Sequence, residues 1–252
     1  MAAKKKEAPE QAEVVQDQEK AAQEQMEKVK VEITSLLKST GREGVEDLIS
    51  VMEEKGFFTA PASSGGGRHS AEEGGLAQHS LNVYQTATKL AHVLLGTIER
   101  NTKEMKDSLI IVCLLHDYGK CGDYGKPLYV ANVLKTTGKR SEKKPWERNK
   151  ELTNIPHSFR SVIMAERWLD LTEDEEYAIM YHDGLYDRET GGMAVIQGHE
   201  TKLLMLPPAR ITVFTLCSTE DRKAAVSLLM MMDFSGFIRI PDLLTMSLHL
   251  PQ

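Results

Sequence analysis

The chain has 252 residues, 41% hydrophobic and 27% charged, with a formal charge of −6 at pH 7 and a pI of about 5.8. That length holds one large domain or two small ones with a sizeable core, and the acidic balance argues against a broad basic surface that grips nucleic acid indiscriminately. It leaves room for a nucleotide or short oligonucleotide held by a metal and a few local lysines.

The cysteines are Cys113, Cys121 and Cys217, without CxxC spacing, which suits a reducing compartment. Lys4-Lys5-Lys6 leads into acidic and Gln-rich sequence, not an apolar leader core. No apolar stretch reaches the roughly 18 residues of a membrane helix; Val226–Met232 is too short and is closed by Asp233 and Gly236. The expectation is a cytoplasmic protein with no membrane contact.

Residues 1–30 are rich in Ala, Glu, Gln and Lys and lack a strong apolar stripe, so they read as a flexible or helical charged tail. From residue 31 the pattern changes. Ile33, Leu36 and Leu37 predict a short helix ending at Gly41. Val45, Leu48, Ile49 and Met52 predict a second, from Gly44 to Gly56. Phe57 to Gly67 reads as a loop. It lacks the Gly-Lys-Ser/Thr ending of a phosphate-binding P-loop.

A third helix starts near Gly75 and puts His79, Val83, Ala87, Leu90 and Leu94 on one face. A fourth runs from Asp107, the expected N-cap, to His116. It is apolar almost all round and should be the most buried. Residues 121–155 form a polar excursion with a β-hairpin around Gly138, where Lys139, Arg140, Lys143, Lys144 and Arg148 cluster. A fifth helix begins at Pro156 and reaches about Leu169. A sixth opens on the capping-box sequence Thr172-Glu173-Asp174-Glu175 and ends at Gly184. After a loop-rich stretch a seventh is expected from Ala209 to Met231. The layout is a tail (1–30), a domain (31–232) and an apolar C-terminal packing segment (233–252), suited to the domain itself or to a second subunit in a homo-oligomer.

The chemistry centres on His116-Asp117, which emerges from the apolar run Ile110–Leu115 and is followed by Tyr118-Gly119-Lys120. A buried imidazole beside a buried carboxylate must be paired, hydrogen-bonded or metal-bound. His79, His157 and His182 stand at or near helix ends elsewhere, so one metal centre assembled by several helices is expected. Imidazole suits Zn, Fe, Ni, Co and Mn, and carboxylate adds a preference for Mn or Mg. One carboxylate can give an oxygen to each of two ions, so Asp117 is the natural bridge.

The series His79 … His116-Asp117-Tyr118-Gly119-Lys120 … His157 … His182 resembles the HD-domain metal-dependent phosphohydrolases. The stretch Phe57-Phe58-Thr59-Ala60-Pro61-Ala62-Ser63, then His69, then Gly74-Gly75-Leu76-Ala77-Gln78-His79 is similar to a branch of HD proteins common in bacteria and phages, and to the HD domain of YhaM-type 3′–5′ exoribonucleases. The resemblance covers roughly residues 31–225, without the OB-fold domain of the YhaM type. It implies an all-α fold, an HD-domain helical bundle with a small β-hairpin excursion.

It also implies the site. His79, His116 and Asp117 would bind a first divalent metal, and Asp117, His157 and His182 a second. Lys120 would contact the substrate phosphate, and His69 would line the active site as a substrate contact or acid. The family closes its site with an Asp in a pattern like His-x-Ala-Asp; here the region reads Thr215-Leu216-Cys217-Ser218-Thr219-Glu220-Asp221-Arg222. One alignment puts Ser218 at the Asp position and another Asp221. The two are three apart, on one helical face. Asp221 is the expected ligand, with Glu220 the lesser candidate.

The implied function is a divalent-metal-dependent phosphohydrolase using one or two ions (Mn, Fe, Ni, Co, Zn or Mg) and metal-activated water on a nucleotide or short oligonucleotide phosphate ester. Two alternatives stand beside it: a 3′–5′ exoribonuclease, and a degenerate HD module that binds a nucleotide or protein partner without turnover.

Overall fold

The apolar spacing between residues 29 and 52 resolves into two helices, α1 (Glu7–Ser39) and α2 (Val45–Glu54), in a computed structural model that describes residues 7–65, 70–94, 102–182, 204–206 and 213–215. Val29, Ile33 and Leu37 recur every fourth residue on α1 and are almost completely buried. Val45, Leu48, Ile49 and Met52 form the matching face of α2. Then come α3 (Gly75–Leu94) and α4 (Lys103–Leu115). All six residues from Ile110 to Leu115 are buried, so α4 is the central helix, packed against α1, α3, α5 (His157–Ala165) and α6 (Glu173–Met180). Each fully buried Leu or Ile here contributes about 1.5–3 kcal/mol, which ties the position of α4 to the whole core.

The chain leaves α4 through a 3₁₀ turn, Tyr118–Cys121, that packs on α5. Tyr118 is fully buried and meets the edge of Phe57 at 5.9 Å between ring centres. The excursion is a two-stranded antiparallel ribbon, β1 (Tyr129–Ala131) with β2 (Trp146–Arg148). Its register pairs Tyr129 with Arg148, Val130 with Glu147 and Ala131 with Trp146. The ribbon is tied to the loop after α2, since the Trp146 indole donates to the Ala71 carbonyl at 2.6 Å. A second short antiparallel pair, β3 (Leu204–Leu206) with β4 (Val213–Thr215), follows, and β4 lies against α3.

The fold is mostly helical with a small hairpin, the expected class. The details differ in five places. Helix α5 opens after Pro156 as expected but ends at Ala165, not near Leu169. Helix α1 is continuous from Glu7 to Ser39, because nothing in residues 7–39 breaks a helix once its first turn is passed; its buried stripe begins at Val29, ahead of residue 31. Helix α4 starts at Lys103, capped by the Thr102 hydroxyl, while the Asp107 carboxylate pairs with Lys103 one turn back. Helix α6 has the expected capping box but ends at Met180, not Gly184. Val213–Thr215 is a strand, not the opening of a seventh helix; its β-branched and aromatic residues favour the extended state. The rest of that expected helix, and the segment 233–252, lie outside the described residues.

Asp123, just past the 3₁₀ turn, pins three elements together. Its buried carboxylate accepts from Lys55 at the end of α2 (2.7 Å) and from both terminal nitrogens of Arg167 beyond α5 (3.0 and 2.8 Å). Burial works to raise its pKa, but the Arg167 and Lys55 hydrogen bonds outweigh burial and hold it at about 2, below the ordinary 3.8. The folded value is the lower one, so the stabilisation is complete above pH 4 and fades as pH falls towards 2. Asp123→Asn should therefore cost about 2 kcal/mol at neutral pH and flatten the acid dependence between pH 4 and 2. Thermal melts across that range check this; parallel melting-point curves for parent and variant would refute it.

Candidate metal centre

Four helices deliver one histidine each to a single point. His116 is the residue on which α4 ends, and Asp117 opens the 3₁₀ turn. His79 lies in the second turn of α3, and His157 is the first residue of α5. His182 follows two residues after α6. The buried carboxylate of Asp117 sits between them and divides its oxygens. Oδ2 is 3.4 Å from Nε2 of both His79 and His116. Oδ1 is 3.0 Å from Nε2 of His157 and 3.4 Å from that of His182. Within each pair the two Nε2 atoms are 3.3 Å apart.

These six atoms define two triangles, His79–His116–Asp117 and Asp117–His157–His182, each able to hold a metal ion. The edges are informative. Two ligands of one first-row cation at about 2.0–2.1 Å stand about 2.8–3.4 Å apart for bond angles between 90° and the tetrahedral value. Every edge of both triangles, 3.0 to 3.4 Å, falls in that window. A buried donor set with this spacing fits a divalent ion.

The ring tautomers agree. Nδ1 of His116 is 2.9 Å from the Cys113 carbonyl, and Nδ1 of His182 is 2.8 Å from the Ile179 carbonyl. A carbonyl only accepts, so Nδ1 carries the proton and Nε2 turns its lone pair to the centre. Burial lowers the pKa of His116 to about 4, which keeps its ring neutral near pH 7. Burial likewise lowers that of His157. For Asp117, burial opposes the charge, but the Lys120 ammonium and the His116 ring outweigh it and hold the pKa well below the usual carboxylate range. Oδ1 is buried and, among the described residues, accepts no hydrogen bond of good geometry; this is an oxygen that suits a cation.

The two sides of the centre differ in exposure. His116, His182 and Asp117 are buried, whereas the side chains of His79 and His157 are 27% and 24% exposed. Lys120 reaches the same open edge, with Nζ 2.6 Å from Asp117 Oδ2. A cavity of about 330 Å³ begins at Lys120 and extends under the ribbon.

The turn is held by close contact with α5. The Gly119 N–H donates to the Ser161 hydroxyl (2.8 Å), which donates to the His157 carbonyl (2.9 Å). A Cβ on Gly119 would stand 2.3 Å from that carbonyl oxygen. Glycine is required here by proximity, not by backbone angle.

A family model described as "HD domain" matches residues 76–214. The chain belongs to the HD-domain family. Searches of curated proteins and of solved structures found no significant match. HD domains are generally metal-dependent hydrolases that bind divalent ions, and the His/Asp groups here have the composition for that.

Of the expected site residues, His79, His116, Asp117, Lys120, His157 and His182 converge. His69 and the closing-carboxylate candidates Ser218, Glu220 and Asp221 lie outside the described residues. Ser161 and the carbonyls of Cys113 and Ile179 escaped the sequence reading. A signal existed for the carbonyls: His116 and His182 each stand just past a helix, three residues beyond an apolar position.

Gly119→Ala tests the packing of the turn in this HD domain. The added methyl group must push the turn away from α5, at about 1–3 kcal/mol for overpacking. A lowered melting temperature and weaker divalent-ion binding by calorimetry are expected, although no ligand is altered. Parent-like ion affinity would show that the Gly119 contact does not position Asp117.

Proposed function

We propose that this HD domain is a divalent-metal phosphohydrolase acting on a nucleotide or short oligonucleotide phosphate ester. The observation that carries the reading is the division of one buried carboxylate between two His pairs, Oδ2 to His79 and His116, Oδ1 to His157 and His182. In this reading His79, His116 and Asp117 would hold one ion and Asp117, His157 and His182 a second. Divalent cations bound there lower the pKa of water and neutralise charge on phosphoryl oxygens.

The chain's own groups set the geometry. His116 and His182, locked by their own helices, fix the inner side. His79 and His157 complete the triangles from the open side, where a substrate can approach. Lys120 is the proposed contact to the substrate phosphate; its ammonium stands at the same edge and stabilises negative charge that develops on the phosphoryl oxygens. His69 is proposed as a wall of the site and a proton donor, and Asp221 as the closing carboxylate.

Elemental analysis of purified variants tests the bridge. His79→Ala and His157→Ala should each lower the divalent content of the protein by one equivalent, and Asp117→Ala should remove both. Loss of only one equivalent in Asp117→Ala would refute the bridging role.

Activity tests the reaction. The parent should release phosphate or nucleoside monophosphate from a panel of mono-, di- and cyclic nucleotides and short RNA under Mn, Ni, Co, Zn or Mg. Lys120→Ala should retain metal and lose about 10²–10³-fold in kcat/KM, the range for removing one charge-stabilising donor. A metal-loaded parent that turns over none of these substrates would leave the binding-module reading in its place.

A further inference from the structure

The ribbon beside Lys120 has a charge opposite to that of the rest of the chain. Residues 126–150 carry eight Lys and Arg against Glu142 and Glu147, a net charge of +6 in a chain whose total is −6. The register sorts these side chains between the two faces. Directly paired residues of adjacent strands share a face, as do residues two apart on one strand. Tyr129, Ala131, Trp146 and Arg148 therefore stand on one face, and Val130 and Glu147 on the other.

The face that carries Tyr129 and Trp146 is the one that walls the cavity, because both line it together with Lys120. The Arg140 guanidinium lies over the Trp146 ring, 3.7 Å from its centre, and Arg148 stands opposite Tyr129. Two aromatic rings and two guanidinium groups thus gather on one face of the ribbon, and the cavity that this face walls reaches Lys120 at the edge of the metal centre, with Lys55 and Glu73 also in its lining. Aromatic platforms interleaved with cations are the chemistry that single strands bind, with bases stacking on rings and phosphates meeting the charges. A cavity of about 330 Å³ lies at the lower end of the size range for small-molecule pockets, enough for one nucleoside beside a phosphate at Lys120.

We propose that this face of the ribbon is a binding platform for single-stranded nucleic acid, which seats the bases next to the reacting phosphate on Tyr129 and Trp146 and holds the backbone with Arg140 and Arg148. The inference rests on the phosphohydrolase reading for what happens at the metal centre, and it narrows the substrate to a strand of several nucleotides.

The test is fluorescence anisotropy with the full chain and labelled phosphorothioate oligothymidylate and oligouridylate of roughly 12 nucleotides. The parent should bind both, and a duplex of equal length should compete poorly. Arg140→Glu and Arg148→Glu should each weaken binding and lower the slope of log affinity against log salt by about 0.7. Trp146→Leu should lose about five- to a hundredfold in affinity, the range for one stacked base, with circular dichroism confirming the fold. Glu147→Gln, on the far face, should stay within about twofold of the parent, since exposed charges away from a contact have small effects.

Failure of the parent to bind either strand overturns the proposal. So does an Arg148→Glu affinity equal to that of the parent, or a Glu147→Gln effect as large as that of Arg148→Glu. Hydrolysis of bis(p-nitrophenyl) phosphate by the metal-loaded parent separates the two readings. Turnover without strand binding sinks the platform alone; strand binding that follows the expected pattern, with no hydrolysis of any phosphate ester, sinks the phosphohydrolase reading and leaves the platform standing.

Discussion

The constraint behind this structure is the buried charge of Asp117. A carboxylate removed from water costs several kcal/mol unless partners surround it, and here no single neighbour suffices. Lys120 supplies one full charge at 2.6 Å, and four imidazoles supply polar edges at 3.0–3.4 Å. Those partners come from α3, the end of α4, the start of α5 and the segment after α6. Each of these helices must therefore be held in place, and the fully buried apolar half of α4, Ile110–Leu115, makes that possible. It gives α1, α3, α5 and α6 a fixed wall to pack against. Gly119 then lets the turn carrying Asp117 come into contact with the α5 backbone, closer than any side chain would allow.

The inner and outer histidines have different parts in this arrangement. His116 and His182 each spend Nδ1 on a carbonyl of their own helix, so ring orientation follows from helix position, and burial keeps the ring of His116 neutral. His79 and His157 are partly open, and together with Lys120 they form the edge that meets solvent. The cysteines nearby play no such part. Burial raises the thiol pKa of Cys113, and that of Cys121 to about 12, so neither offers a thiolate near neutral pH.

Much of this was legible in the sequence, for a physical reason. His116-Asp117 at the end of a six-residue apolar run could only be buried, and buried polar groups need partners; the remaining histidines beside helix ends were the available ones. The helical class followed from apolar spacing at three and four residues. Boundaries were less legible. Thr102 and Asp107 are both good caps, and only tertiary packing chose Thr102. Val213–Thr215 carried a helical reading because the apolar stripe beyond it has a helical period, yet its pairing partner Leu204–Leu206 lies in a stretch that reads as loop. The Ser161 relay was invisible because a serine in mid-helix has no pattern of its own; its role exists only because the turn after α4 docks there.

The least legible property was where charge resides. A total of −6 argues against a broad basic surface for nucleic acid, and that argument averages over a chain whose charge is not uniform. At physiological ionic strength exposed charges are screened beyond about 8 Å, so acidic residues farther than that from the ribbon do little to the field over it. What a ligand feels over the ribbon is the ribbon's own set, which is strongly basic in residues 126–150. Two-residue periodicity then sorts that set: in β2 it sends Glu147 away from the cavity and turns Trp146 and Arg148 towards the same side as Tyr129. A one-residue slip in the β1–β2 register would turn Trp146 out of the cavity and replace it with Glu147. The indole N–H of Trp146 donates to the Ala71 carbonyl and its backbone N–H to the Ser64 carbonyl; these bonds to the segment before α3 act with the ribbon's own hydrogen bonds to hold the register that keeps Trp146 on the cavity side.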